Sequence, residues 1–521
     1  MPRLLRGVAV LLLVVAVGWA GNAAAKPQQT VPPSFSGCSP QPTIAPTLPS
    51  EMTFPSQANA NCLAWQEFVD LNWQAAPGQC GVPDNSVGAA KFGTPGNTAP
   101  VVWETYQEAS QVFKPGAAQP DPWCASQTLP SAMGGPSESK TLKPTSTHGF
   151  KALFEDSKFE TTHLSFFKQA SEGDPWLTAQ NGHLTMYEIR VDRPEYDYIV
   201  QNKLYNADVQ QQFVTTQGIN LPDGSVEIKA AWLELDSPSL YPLYKTSRAI
   251  VQYPGGKPHP VIVGLVGLHI IQKTPDAQQF IWATFEHVGL DPTVADIKAK
   301  NLTPPYTYYN PTCNPSTDHY HCAVNTAPMN NSPDYQAPLQ AARFRPISSA
   351  STDNVVGLNE AMWNLIAASD PNSVFLHYQL VDALWPTSST PIPPAAMTPL
   401  TDGAAAPDPV SQPVANTSLE TFIQNRTCLY CHASAPIAST SKRATVPVLP
   451  PLPPSRVSGP LTPSSLYASD YSFLFQTAQS PSAAGFPTWT LALLAVAGAN
   501  GCLAGLVFLR RRRTRSAFPS L

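Results

Sequence analysis

The run VIVGLVGLHII, residues 261–271, decides the fold. It is dense in β-branched and apolar residues and has no helical period, so it reads as a strand buried on both faces. Gln279 to Val288 (QFIWATFEHV) answers it across the short connection KTPDAQ, and the two predict a buried antiparallel hairpin. Upstream, Val226 to Leu235 alternates apolar and polar residues behind the turn Pro222-Asp223-Gly224, which adds a third strand. Helical spacing is clearer at Cys62 to Trp73, at Pro194 to Gln212 and around Leu358 to Ala368. Together these predict an α+β main domain on an antiparallel sheet, over residues 61–385.

The ends of the chain carry a different signal. Arg3 and Arg6 precede the apolar run Val8 to Val17, and Ala23-Ala24-Ala25 offers a cleavage site, so residues 1–25 read as a secretory signal peptide. Trp489 to Leu509 has no charge and is followed by Arg510 to Arg513, which predicts a transmembrane helix over 489–509 and a basic cytoplasmic tail over 510–521. A single-pass protein of the inner (cytoplasmic) membrane, with its body in the periplasm, is the expectation. Prolines, 57 in all, cluster in an N-terminal arm (26–60), a linker (386–415) and an insert after residue 434. A net charge of −5 argues against a nucleic-acid partner.

Chemistry concentrates at RTCLYCHAS, residues 426–434. Cys428-x-x-Cys431-His432 is the pattern by which c-type haem is held: two thioethers fix the porphyrin and the histidine supplies the proximal iron ligand. Two other readings compete, a Cys428–Cys431 disulfide and a zinc or thioredoxin-like redox pair. Zinc would need a second pair of ligands, and the sequence has no other CxxC. Thr417 and Glu420 form a capping-box pattern, and Leu419, Phe422 and Ile423 share one face of a helix predicted to end before Cys428. Residues 416–480 therefore read as a small helical cytochrome c-like haem segment with a Pro-rich insert.

No methionine or histidine follows His432, so a sixth iron ligand has to come from upstream. His269 and His287 rank first for that place. They sit on the predicted hairpin, where Gly264 and Gly267 leave room beside the backbone. A vacant sixth position is the alternative, and it would leave the iron reactive towards small ligands.

Several stretches taken jointly resemble a set of bacterial cytochrome c family proteins with an N-terminal CxAWQxFxxLNW motif and a single C-terminal haem site. In this chain they are Cys62-Leu-Ala-Trp65-Gln66-Glu-Phe68-Val-Asp-Leu71-Asn72-Trp73, Trp103-Glu104-Thr105, Tyr187-Glu188-Ile189-Arg190 and Lys229-Ala230-Ala231-Trp232. Val266-Gly267-Leu268-His269 with Lys273-Thr274, Phe285-Glu286-His287-Val288, Tyr309-Asn310-Pro311, Glu420-Thr421-Phe422 and Asp470-Tyr471-Ser472-Phe473 complete the set. The resemblance implies one covalent haem c, export, and a main domain that belongs with the haem segment. It implies no particular reaction. The long insert after His432 and the C-terminal apolar stretch depart from it.

Six further cysteines, Cys38, Cys62, Cys80, Cys124, Cys313 and Cys322, suggest up to three disulfides in an oxidising compartment, with Cys313–Cys322 the favoured pair. The loop Asp318-His319-Tyr320-His321 between them reads as a disulfide loop before it reads as a metal site. Glu188 beside Arg190, and Glu286 beside His287, read as structural before catalytic. The leading functional expectation is electron transfer with a redox partner protein or a small electron donor or acceptor. A haem-dependent oxidoreductase whose main domain binds a substrate or small oxidant is the alternative, with a haem-based sensor behind it.

Overall fold

The computed structural model describes residues 37–48, 56–125, 151–154, 176–253, 257–328, 335–351, 353–385, 414–433, 435–438 and 467–481. Strands β6 (His259–Thr274) and β7 (Ala277–His287) form the hairpin, with Gly267 opposite Glu286 and Gln272 opposite Ile281. Both strands outrun the apolar stretches that announce them, so Pro275 and Asp276 alone make the turn. β4 (Val226–Glu234) lies along one edge of β6 with Lys229 opposite His269, and β3 (Met186–Val191) and the two-residue β1 (Gln107–Glu108) follow outward. The other edge of β6 is shared. β5 (Thr246–Gln252) takes its first residues and β7 the rest, with β8 (Tyr378–Leu384) beyond β7 and β2 (Lys151–Phe154) beyond β5. Every pairing is antiparallel except β2 with β5.

Helices are few beside this sheet: α1 (Gln57–Leu71), α2 (Ala109–Val112), α3 (Arg193–Gln201), α4 (Ala207–Val214), α5 (Val294–Ala299), α6 (His319–Cys322), α7 (Val355–Ser369) and α8 (Cys428–His432). The single helix predicted over 194–212 is two, α3 and α4, because Asn206 starts α4 afresh by accepting the N–H groups of Asp208 and Val209.

Side chains alternate across each strand, so the sheet has two faces of different chemistry. Ile228, Ala230, Leu268, Ile270 and Phe285 point to the first, which α1 and α7 cover. Trp65 and Phe68 of α1 stand 5.0 and 4.4 Å from the Phe285 ring. The CLAWQEFVDLNW motif is spent here on packing. Trp65 Nε1 donates to Asn359 on α7 (2.9 Å), Trp103 Nε1 donates to Asn72 (3.1 Å), and Gln66 accepts the Thr43 N–H (2.8 Å). Glu188 and Arg190 belong to a buried charge network on this side, with Lys151, Glu104 and Lys245.

The second face carries Glu227, Lys229, His269, Trp282, Thr284 and Glu286. The strand alternation is therefore between two covered faces rather than between core and water. Residues 414–433, 435–438 and 467–481 lie over this second face and engage its polar groups.

One part of the expected fold class is corrected by this arrangement. No separate helical cytochrome c-like segment forms, because residues 417–427 run as turns and α8 has five residues. The side chains of Asn416 and Thr417 bond to the sheet and to nearby groups, and that of Ser418 donates to Asn416 Oδ1, in competition with a helix. Leu419, Leu429, Ile437 and Phe475 then join the cores of the sheet instead of building one of their own. As to a membrane span, no helix among the described residues is long and apolar enough to cross a bilayer. The apolar stretch 489–509, the signal peptide, most of the arm and linker, and the insert lie outside the described residues.

Three disulfides are formed: Cys38–Cys62, Cys80–Cys124 and the expected Cys313–Cys322.

Candidate functional site

Asn416 seats the C-terminal segment on the sheet. Its amide donates to Thr284 Oγ1 (3.1 Å) and to the Phe285 carbonyl (2.6 Å), while its Oδ1 accepts the Ser418 N–H (3.0 Å). Directly below is Gly267, where an added Cβ would run into Ser418 Oγ and stand 2.8 Å from Asn416 Oδ1. The room that Gly267 leaves is filled by protein, and that of Gly264 by the Tyr244 ring at 2.9 Å, so neither glycine opens a slot for a ligand. Tyr187 donates to the Ser418 carbonyl (2.8 Å), Arg343 pairs with Glu286, and Thr417 Oγ1 lies 3.0 Å from Asp291 and 3.2 Å from Glu286. Glu420 reaches back to accept the Asn416 N–H (2.9 Å) with one oxygen and meets His269 Nε2 at 2.8 Å with the other. Glu420, read in sequence as a capping residue, thus becomes the partner of a strand histidine.

The motif follows on α8. Cys428 and Cys431 are three residues apart on one helical turn, hence on one side, and neither is in a disulfide. His432 Nδ1 lies 2.7 Å from the Tyr471 carbonyl. A carbonyl can only accept, so Nδ1 carries the proton and Nε2 presents its lone pair. Trp282 and Phe473 flank the ring at 4.3 and 5.0 Å, and nothing among the described residues bonds to Nε2.

Electrostatics show the shape of the place. Cys428, Cys431, His432 and Lys229 are only half-buried. Yet burial pushes the Cys428 thiol well up, the Lys229 ammonium down, and His432 down to about 4 against the Tyr471 hydrogen bond. These groups are partly exposed, yet burial acts on all three, which places them at the margin of the protein interior. Burial also works against the Glu420 carboxylate, but the charge and hydrogen bond of His269 outweigh it and hold its pKa low. Glu420 and Lys229 both act on Cys428 and on His432, so the four belong to one electrostatic unit.

The two histidines ranked for the sixth position part company. His269 is on the same sheet face as the motif, with Nε2 engaged by Glu420. His287 points to the opposite face, where it stacks on Tyr244 at 4.2 Å. There it accepts the Gly289 N–H at Nδ1 and donates to the Leu243 carbonyl at 3.1 Å from Nε2. Both of its nitrogens are used, and His287 is not brought to the motif. Sequence reasoning missed Lys229 and the Tyr471 carbonyl. Both lie in stretches quoted above, but only the β4–β6 register and the turn at 470–472 bring them to Cys428 and His432.

The residues present fit a covalently held haem. Two thiols outside disulfides sit side by side, and an imidazole with its Nδ1 proton fixed turns Nε2 outward. The buried Tyr471 hydroxyl has no hydrogen-bond partner among the described residues, an orphan that the polar edge of a bound group would satisfy. No cluster of three or more His, Cys, Asp or Glu suited to a bare metal ion occurs among the described residues, and the His321 loop is tied by Asp318 at 2.8 Å. Compared with models of protein families, with curated proteins and with solved structures, the chain matches none.

Proposed function

We propose that this chain is an exported c-type haem protein that transfers single electrons to or from a redox partner protein or a small donor or acceptor. Cys428 and Cys431 would hold the porphyrin through thioethers, and His432 would supply the proximal nitrogen. The observation that carries the reading is the 2.7 Å contact of His432 Nδ1 with the Tyr471 carbonyl, which assigns the tautomer an iron ligand needs. When bound, the haem supplies a one-electron redox centre. The protein's own part is to orient His432, to flank its ring with Trp282 and Phe473, and to place Lys229, His269 and Glu420 near it. Three disulfides support an oxidising, exported setting, and the resemblance to cytochrome c family proteins points the same way.

The charged cluster of Lys229, His269 and Glu420 favours a second reading, a haem-dependent oxidoreductase acting on a small oxidant. His269 would have to leave Glu420 to coordinate iron. With that pair intact and His287 on the far face, neither of these two histidines would fill the sixth position.

A pyridine haemochrome spectrum of the full chain, expressed with a c-type haem maturation system, tests the proposal. One c-type haem per chain is expected, lost in Cys428→Ala/Cys431→Ala. A folded wild-type chain without covalent haem would sink it. A six-coordinate ferric spectrum then favours electron transfer, and a five-coordinate one that binds carbon monoxide on reduction favours the second reading.

A further inference from the structure

We infer that Lys273 is a positioning residue for His432, acting through the backbone of residues 470–472. Lys273 is on β6, its side chain wholly buried, and its ammonium donates to Asp470 Oδ2 at 2.7 Å and to Asn220 Oδ1 at 2.6 Å. The same Asp470 oxygen accepts the Leu221 N–H at 2.7 Å. Asp470 and Tyr471 have φ of 54° and 66°, two consecutive non-glycine residues in the left-handed region that L side chains rarely adopt. A backbone in that state persists only where its surroundings over-determine it. Here the tethers stand on both sides: Lys273 and Leu221 hold Asp470, and Ser472 Oγ donates to Glu227 Oε2 at 2.8 Å. Ser469 Oγ adds a 3.0 Å bond to the Ala435 carbonyl, just past the motif.

The product of this strained turn is the direction of one carbonyl. Tyr471 O, between the two tethered residues, meets His432 Nδ1. A buried lysine and aspartate add little stability over apolar residues of the same shape, but such pairs specify geometry well, and what this pair specifies is the acceptor for His432. The effect on iron rests on the proposed function, whereas the effect on the imidazole does not. A fully engaged Nδ1–H makes Nε2 more electron-rich and so favours oxidised iron.

The test uses the full chain with Lys273→Met. In the haem-free protein with 15N-labelled histidine, wild-type His432 should show one Nδ1–H tautomer, and the variant a mixture with Nε2–H. In the haem-loaded protein the variant's midpoint potential should move to more positive values at unchanged haem content. If Lys273→Met does not fold, Ser472→Ala removes the other tether without leaving an unpaired cation and should shift both readouts the same way. A folded variant of either kind whose tautomer and midpoint equal those of the wild type overturns the inference. Should the wild type take up no covalent haem, the proposed function fails, and the tautomer in the haem-free chain still decides the role of Lys273.

Discussion

His269 Nε2 and Glu420 Oε1 meet at 2.8 Å across the seam between the central strand and the C-terminal segment. Both side chains are largely enclosed, 10% and 27% exposed, so their contact is worth more than a surface pair. Glu420→Gln should weaken the seam. A double-mutant cycle with His269→Ala, read by urea denaturation, should give a coupling of about 1–3 kcal/mol. A coupling near zero would mean that the pair does not hold the segment.

Gly267→Ala places a methyl group where Ser418 and Asn416 already lie. Overpacking of this kind costs about 1–3 kcal/mol. The loss should come with faster proteolysis within residues 414–438, seen by limited digestion and mass spectrometry. Equal destabilisation without new cleavage there would place the strain elsewhere.

Stability should fall from pH 5 to pH 8. Burial raises the carboxyl groups of Glu67, Asp192, Glu195, Glu227, Asp291 and Asp382, with Glu227 reaching about 7 and Asp192, Asp291 and Asp382 about 8. In the unfolded chain these protons leave near pH 4. Each group's contribution is therefore complete below about pH 4 and lost as pH rises through its folded value. His287 and His432, pushed by burial down to about 3 and about 4, and His377, which burial also lowers, act in reverse: their contributions are present above about pH 6.5 and lost as pH falls. Between pH 5 and 8 the carboxyls outnumber them, so the guanidinium midpoint should be higher at pH 5, and a midpoint that climbs towards pH 8 would refute the balance.

Cys38–Cys62 ties the chain before α1 to the helix that carries the tryptophan motif, across a separation of 24 residues. Restricting a loop of that size in the unfolded chain is worth about 3 kcal/mol. Cys38→Ser/Cys62→Ser should lose roughly that in a denaturation experiment while keeping near-native circular dichroism.

The hairpin and its neighbour were legible because β-branched runs and a Pro-Asp-Gly turn are local signals. The stretch opened by Val226 matches its strand to within one residue, and those opened by Val261 and Gln279 start two residues inside theirs. The Cys-x-x-Cys-His motif stood out for the same reason, since Cys428, Cys431 and His432 lie within five residues. What covers the second sheet face was not. Thr417 and Glu420 have the spacing of a helix cap, and only the long-range partners Glu286, Asp291 and His269 turn them to other uses. The glycines misled in a similar way. A missing side chain in a strand says that something comes close, but Ser418 and Tyr244 are far from Gly267 and Gly264 in sequence.

Every named strand of the sheet precedes residue 385, and the segment that lays Asn416, His432 and Ser472 over its polar face follows residue 413. On a chain made from its N-terminus, the surface is complete before its cover exists. Lys229 and Trp282 then wait for the partners that His432 and its neighbours bring afterwards. Cys428 and Cys431 reach that waiting surface late in synthesis, still accessible, and the contacts that enclose them are among the last the growing chain can make.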